Sequence, residues 1–212
     1  TVTLIVESPP AITELTGSMS LVDGDSVVLS VTAVGTAPIT YQWSKGGVAV
    51  DGATGGTLSL ANVAPSDADD YKVAVSNGAG RVESELITVT VVQPASIVSQ
   101  PEGGSAVLGE TFTLSVVAAG TEPISYQWHK GGQVVEGASG SSLSLANLEA
   151  VNSGDYHVVV SNQAGTETSD TVTLTLESPP LITELTGSLS AVEGDTVELS
   201  VSAVGTAPLA YQ

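Results

Sequence analysis

Short segments of alternating apolar and polar residues run through the chain and are separated by clusters of Gly, Asp, Asn and Pro. A period of two is typical of a β-strand with one buried face. The clearest examples are 27–33 and 112–118, and no segment sustains a helical period. The sequence therefore predicts an all-β fold. The residues predicted to face inward in these two segments are Val27, Leu29, Val31, Ala33, Phe112, Leu114, Val116 and Ala118.

Further strands are predicted at 40–45, 57–60, 71–75 and 87–91. The first of them is followed by Gly46-Gly47. A tight two-residue hairpin turn needs positive φ at both central positions, which glycine adopts readily, so a hairpin is predicted there. The inward positions of the last two are Tyr71, Val73, Val75, Ile87, Val89 and Val91.

The pattern repeats with a period of 85 residues. Aligned without gaps, 8–92 and 93–177 share 39 of 85 residues, whereas 178–212 matches 8–42 at 26 of 35 positions. Because 93–127 matches 8–42 at only 15 of 35, the full period is a pair of alternating units, 170 residues long. Repeats of this kind indicate an array of similar structural units. The predicted organisation is the last strand of a preceding domain at 1–7, complete domains at 8–92 and 93–177, and the first part of a third domain at 178–212.

Several motifs recur at fixed places within each unit. Tyr41-Gln42-Trp43 returns as Tyr126-Gln127-Trp128, and Asp70-Tyr71 returns as Asp155-Tyr156. Ser76-Asn77-Gly78-Ala79-Gly80 follows the first tyrosine. The order of these motifs resembles the immunoglobulin-like domains of the intermediate set. The resemblance implies tandem β-sandwiches with Trp43 and Trp128 in strand C and with Tyr71 and Tyr156 at the tyrosine corner. Asp69 stands where that family usually has Gly.

The chain contains no cysteine. Members of this family usually have a pair of bonded cysteines in each domain. Valines occupy those positions here, Val31 and Val73 in the first unit and Val116 and Val158 in the second. The resemblance is thus closest to the cysteine-free immunoglobulin-like repeats of large bacterial surface and secreted proteins. Thiolate catalysis and cysteine-ligated metal sites are excluded.

The formal charge is −19, from 23 acidic residues against Lys45, Lys72, Arg81 and Lys130. Nucleic-acid binding needs a basic surface, so a nucleic-acid partner is not expected. An anionic membrane surface would also repel the chain, and no apolar run reaches the roughly 18 residues of a membrane span. The scattered acids indicate a solubilising surface.

No catalytic or cofactor-binding residues are predicted, and we expect no enzymatic activity. His129 and His157 are the only histidines, and their positions in the strand pattern place them on the surface. No Gly-x-Ser-x-Gly nucleophile motif occurs. An internal Lys–Asn cross-link is also not expected, because Lys45 and Lys130 beside the Gly-Gly turns, and Lys72 on its strand, are predicted to be exposed.

Calcium is the one cofactor that the sequence leaves open. Carboxylates in turns supply calcium ligands, and two groups of acids lie in predicted turns, although no EF-hand loop occurs and the middle unit lacks both groups. No specific metal ligands are assigned. The candidates are Asp23, Asp25, Glu193 and Asp195 before strand B, Asp67, Asp69 and Asp70 at the tyrosine corner, and Glu7 and Glu14 near a joint.

The predicted function is structural. The units join without a flexible spacer, through Gln93-Pro94 and Ser178-Pro179-Pro180, and proline holds such joints extended. We expect an extracellular or cell-surface stalk or filament, whose partner is the continuation of the same chain or another copy of it. The alternative is an adhesin or a carbohydrate-binding accessory region with a glycan or protein ligand, although no tryptophan remains for an exposed sugar platform once Trp43 and Trp128 enter the core.

Overall fold

The computed structural model describes residues 6–212. Its contacts divide the chain into two compact units. The first comprises the residues up to Pro94 together with 120–123 and 162–165, and the second comprises 95–119, 124–161 and 166–212. The predicted strand at 1–7 lies mostly outside the described residues.

The first sandwich is built from nine strands in two sheets. One sheet has the order β1-β3-β6, and the other has the order β2-β9-β7-β4-β5, with β8 paired to β7. A single 3-10 turn, Pro65–Asp67, precedes β7. The strands are β1 (Ala11–Leu15), β2 (Met19–Val22), β3 (Val27–Val34), β4 (Thr40–Lys45), β5 (Val48–Ala49), β6 (Thr57–Leu60), β7 (Asp69–Asn77), β8 (Gly80–Glu83) and β9 (Ile87–Val92).

The second sandwich repeats this plan with ten strands. Its larger sheet has the order β11-β19-β17-β14-β15, with β18 paired to β17. Its other sheet consists of the pairs β10-β13 and β12-β16, because the strand matching β3 is interrupted at Val116. The strands are β10 (Ser96–Ser99), β11 (Gly104–Val107), β12 (Phe112–Ser115), β13 (Val117–Ala119), β14 (Ser125–Lys130), β15 (Gln133–Val134), β16 (Ser142–Leu145), β17 (Gly154–Asn162), β18 (Gly165–Thr168) and β19 (Val172–Glu177).

A final antiparallel pair joins β20 (Leu181–Leu185) to β21 (Val201–Val204). Its register reproduces that of β1 with β3. Ile182 lies opposite Ala203 as Ile12 lies opposite Ala33, and the same irregularity follows in both pairs.

The all-β prediction is confirmed, and the only helical pieces described within 6–212 are two 3-10 turns, Pro65–Asp67 and Ala150–Asn152. The inward-facing predictions are confirmed as well, since every one of those residues is buried or packs against a core. Trp43 and Trp128 have no exposed surface. The valines at the usual cysteine positions are buried beside them, which fills that space with apolar contacts in place of a cross-link.

The glycine pair after β4 also behaves as predicted. Gly46 and Gly47 have φ of +54° and +81°, and Gly131 and Gly132 after β14 have +53° and +80°. Positive φ at both central positions matches the right-handed twist of the two strands that the turn connects. These turns set the register of β4 with β5 and of β14 with β15.

Candidate functional site

A polar clasp holds the chain where it enters each sandwich. We define the clasp as Ser8, Thr36 and Asn77 in the first sandwich. Ser8 N–H donates to Thr36 Oγ1 at 2.8 Å, and Thr36 N–H donates back to the Ser8 carbonyl at 3.1 Å. Asn77 Nδ2 donates to the carbonyls of Ser8 and Thr36 at 2.7 and 2.9 Å. The clasp therefore ties the first residues of the sandwich to two of its loops.

The clasp recurs in the next unit with only its first residue changed. Gln93, Thr121 and Asn162 make the same contacts, with Asn162 Nδ2 at 2.8 Å from the carbonyls of both Gln93 and Thr121. In the third copy, Ser178 N–H donates to Thr206 Oγ1 at 2.6 Å. The first residue of each copy uses only its main chain for these bonds, which explains why Ser and Gln are interchangeable there.

A glycine allows the close approach beside the clasp. Gly35 has φ of +153°, and a Cβ atom there would lie 3.1 Å from both Pro10 Cα and the Pro9 carbonyl oxygen. Gly205 has the same relationship to Pro180, at 3.0 Å. A larger side chain at either position would push the entering proline segment away from the loop.

Each sandwich pairs one of its early strands in parallel with its last strand. In the first, β2 pairs with β9, and Met19 lies opposite Val89. In the second, β11 pairs with β19, and Gly104 lies opposite Leu174. The early strand enters from one end of the sandwich and the last strand leaves toward the other, so a pull on the two ends loads this pair lengthwise.

The tyrosine corner is present in both sandwiches. Tyr71 Oη donates to the Asp67 carbonyl at 2.8 Å, and Tyr156 Oη donates to the Asn152 carbonyl at 2.7 Å. Burial raises the pKa of both phenols above the usual value, and the charges of Asp67 and Asp69 raise the pKa of Tyr71 further. The Asp69 that replaces the usual Gly leaves this geometry intact.

The prediction that Lys45 and Lys130 are exposed is wrong. Both side chains are partly buried, and each ammonium lies 5.9 Å from the centre of the neighbouring tyrosine ring, Tyr71 or Tyr156. Lys45 Nζ donates to the Ser66 carbonyl, and Lys130 Nζ donates to the Val151 carbonyl. The long side chain packs its methylenes over the corner while its head group reaches carbonyl oxygens.

Several of the acidic residues that were candidates for calcium accept hydrogen bonds within their own sandwich or copy. Asp25 Oδ2 accepts from Val22 N–H at 2.9 Å, and Asp195 does the same from Val192. Asp67 Oδ2 accepts from Ala64 N–H, and Asp70 Oδ1 accepts from Thr88 Oγ1. Within residues 6–212, no group of three or more His, Cys, Asp or Glu side chains comes together as a metal site would require.

The two histidines, by contrast, do come together. His129 of β14 lies directly opposite His157 of β17, and their rings stack with centroids 4.8 Å apart. Partial burial lowers the pKa of His157, and the neighbouring His129 lowers it further. Sequence reasoning placed both on the surface and missed the pairing. The register that aligns Trp128 with Val158 also aligns these two residues, and would have revealed it.

The two tryptophans lie in the cores, as predicted. Trp43 Nε1 donates to the Gly55 carbonyl and Trp128 Nε1 to the Gly140 carbonyl, both at 2.9 Å. Tyr41 and Tyr126 pack against the two cores.

None of the helical turns between Val6 and Gln212 has the length or the hydropathy of a membrane-crossing helix.

Comparison with known proteins finds relatives that share sequence with most or all of this chain. The basement membrane-specific heparan sulfate proteoglycan core protein of Mus musculus is 31% identical over 228 residues, which covers 100% of this chain and 6% of that protein. Hemicentin-1 of Mus musculus is 30% identical over 96% of this chain and 4% of its own length. The cell adhesion molecule DSCAM of Homo sapiens is 27% identical over 84% of this chain and 10% of its own. The chain thus spans a small fraction of these curated relatives.

Solved structures show the same fold. An I-band fragment of titin superposes with a TM-score of 0.74, at 24% identity over 95% of this chain and 77% of that fragment. The relatives named here are animal proteins, so the resemblance to bacterial arrays stays a prediction. The family model described as immunoglobulin domain matches residues 9–77 and 94–162. The chain is a cysteine-free tandem array that belongs to the immunoglobulin domain family.

Proposed function

We propose that this chain is a stretch of a structural extracellular array, in which immunoglobulin sandwiches follow one another and carry tension along the chain. The observation that supports it best is the parallel pair of early and last strands, β2 with β9 and β11 with β19, present in both sandwiches. The clasp adds a second fixed point where the chain enters each sandwich.

The geometry of the parallel pair gives a mechanism for resisting tension. When the ends of a sandwich are pulled apart, β2 and β9 slide along each other, and all the hydrogen bonds between them are loaded together. Several bonds must then break in one event, and the rate of forced unfolding depends on that barrier. An antiparallel hairpin pulled at its open end would instead lose its bonds one at a time.

The array character is supported by the short connections. β9 ends at Val92 and β10 begins at Ser96, and β19 ends at Glu177 and β20 begins at Leu181. We propose domain boundaries at 8–92, 93–177 and 178–212, with 1–7 as the end of a preceding domain. The shared register of β1-β3 and β20-β21 supports a third sandwich that starts like the first.

An extracellular or cell-surface location is proposed from the relatives. These relatives include a basement membrane proteoglycan core protein and a cell adhesion molecule. A chain without cysteine has no thiols for an oxidising environment to modify. Its charge of −19 makes neighbouring copies repel each other, which favours the solubility of a long array. We propose no enzymatic activity for this segment.

The proposal is tested on native material with an antibody raised against the chain. Intact cells are treated with protease, and the reactive species is then sized under fully denaturing conditions. We expect loss of the signal from intact cells and a species far larger than the 21.1 kDa of this chain. A signal protected inside intact cells would contradict the extracellular location, and a species near 21.1 kDa would contradict the covalent array.

Adhesion is the second candidate, because one relative of the chain is a cell adhesion molecule. An adhesive segment would bind another copy or a ligand through a side face of its sandwiches. Coated beads distinguish the two functions. Beads carrying the chain would aggregate or bind cells if it is an adhesin, and would stay dispersed if it acts only as a stalk.

A further inference from the structure

The paired histidines are a site that the structural role does not use. His129 and His157 are directly opposite each other on the antiparallel strands β14 and β17, which places their Cβ atoms about 4.5–5.5 Å apart. Their rings are nearly parallel, with an angle of 9° between the planes and 4.8 Å between the centroids. Both residues are partly exposed, so solvent and solutes reach the ring edges.

Two imidazoles at this spacing can act together as a bidentate metal ligand. Metal–nitrogen bonds of about 2.0–2.1 Å bring two ring nitrogens to a common ion once the rings turn about their side-chain torsions. We propose that His129 and His157 together bind a divalent transition metal ion of the imidazole-preferring class, with copper(II) bound most tightly. Copper(II) accepts a tetragonal set of nitrogen and oxygen ligands, so water or a group from another molecule completes its coordination.

The surroundings suit a cation. The chain carries a formal charge of −19, so a metal ion approaches a surface that attracts it. Val134 of β15 lies opposite His129 on its other side and leaves that flank of the pair uncharged.

The first sandwich provides a natural comparison, because the same register there pairs Ser44 with Lys72. Neither residue type is an imidazole, and Lys72 instead lies 4.0 Å from Glu83 in a salt bridge. The two units therefore share a fold and this strand pairing but carry different residue types at the paired positions. His129→Ser and His157→Lys convert the pair into residues that the other unit accommodates.

The test is a calorimetric titration of the chain with copper(II), in a large excess of magnesium that occupies the surface carboxylates. The parent should bind one copper(II) ion, with a spectrum from electron paramagnetic resonance that shows two nitrogen ligands. Once one histidine holds the copper(II) ion, the other histidine binds the same ion as an intramolecular ligand at a high effective concentration. His129→Ser and His157→Lys each remove that second ligand, so each should weaken copper(II) binding by about tenfold or more. Zinc(II) should bind more weakly than copper(II).

Thermal unfolding without metal checks that both variants stay folded, and copper(II) should raise the melting temperature of the parent only. The proposal is overturned if either variant binds copper(II) as tightly as the parent. It is also overturned if the parent binds no more tightly than a single imidazole, or if its spectrum shows one nitrogen ligand.

Discussion

Asn77 Nδ2 donates a 2.7 Å hydrogen bond to the carbonyl of Ser8, 69 positions earlier in the chain. The same side chain donates to the Thr36 carbonyl, and its Oδ1 accepts from the N–H groups of Ala79 and Gly80. One amide thus joins the start of the sandwich, a loop, and the turn after β7. Asn162 repeats the relationship with Gln93 at 2.8 Å.

Replacing the clasp asparagine should destabilise its sandwich. Asn162→Ala leaves the Gln93 and Thr121 carbonyls without this donor, and we expect the free energy of unfolding to fall by about 1–3 kcal/mol. Urea denaturation followed by tryptophan fluorescence measures the change. The exposed neighbour gives the control, since Gln163→Ala should alter stability by less than about 0.5 kcal/mol. Equal midpoints for the two variants would contradict the role of the clasp.

A buried serine between β8 and β9 supports the core strand β7. Ser84 Oγ accepts from Val73 N–H at 3.1 Å and donates to the Glu85 carbonyl at 2.8 Å. Ser84→Ala removes the acceptor from a buried amide, so stability should fall by about 1–3 kcal/mol. Hydrogen exchange at the Val73 amide should also speed up. Ser59→Ala, on the exposed face of β6, is the matched control and should leave both measurements unchanged.

Because the pKa values of the two buried tyrosines are raised, we expect the folded chain to lose stability at high pH. The pKa values of Tyr71 and Tyr156 are raised in the folded chain, whereas unfolded tyrosines release their protons near pH 10. The unfolded state therefore binds fewer protons as the pH rises through that value, and the free energy of unfolding falls until the folded phenols ionise. The variant with Tyr71→Phe and Tyr156→Phe should lose less stability over the same range. Tyr211→Phe, at an exposed position, should follow the parent.

Much of the fold could be predicted because it depends on local pattern. Burial of Leu29, Val73 and Ile87 follows from alternation along single strands, and the Gly46-Gly47 hairpin follows from the φ values that only glycine adopts freely. The 85-residue repeat then carried each assignment into the next unit. These features need no knowledge of which strands become neighbours.

The features that were missed depend on contacts between distant segments. The stacking of His129 with His157 requires the register of β14 against β17, which alternation within one strand does not specify. Asn77 belongs to a motif that recurs in both units, but its partner Ser8 lies 69 positions away in the chain. Lys45 was predicted to be exposed because it borders a turn, and its contact with Tyr71 arises only when β4 pairs with β7.

The central claim is that the sandwich resists tension through its parallel strand pair, and single-molecule pulling tests it most directly. The chain has no cysteine, so pairs of new cysteines provide unique handles. Handles at Glu7→Cys and Gln93→Cys pull the ends of the first sandwich and load β2 against β9 lengthwise. Handles at Ala74→Cys and Glu83→Cys pull the open end of the β7–β8 hairpin, where these two residues lie opposite each other. We predict a severalfold higher unfolding force for the first geometry, and an equal or lower force there would contradict the account.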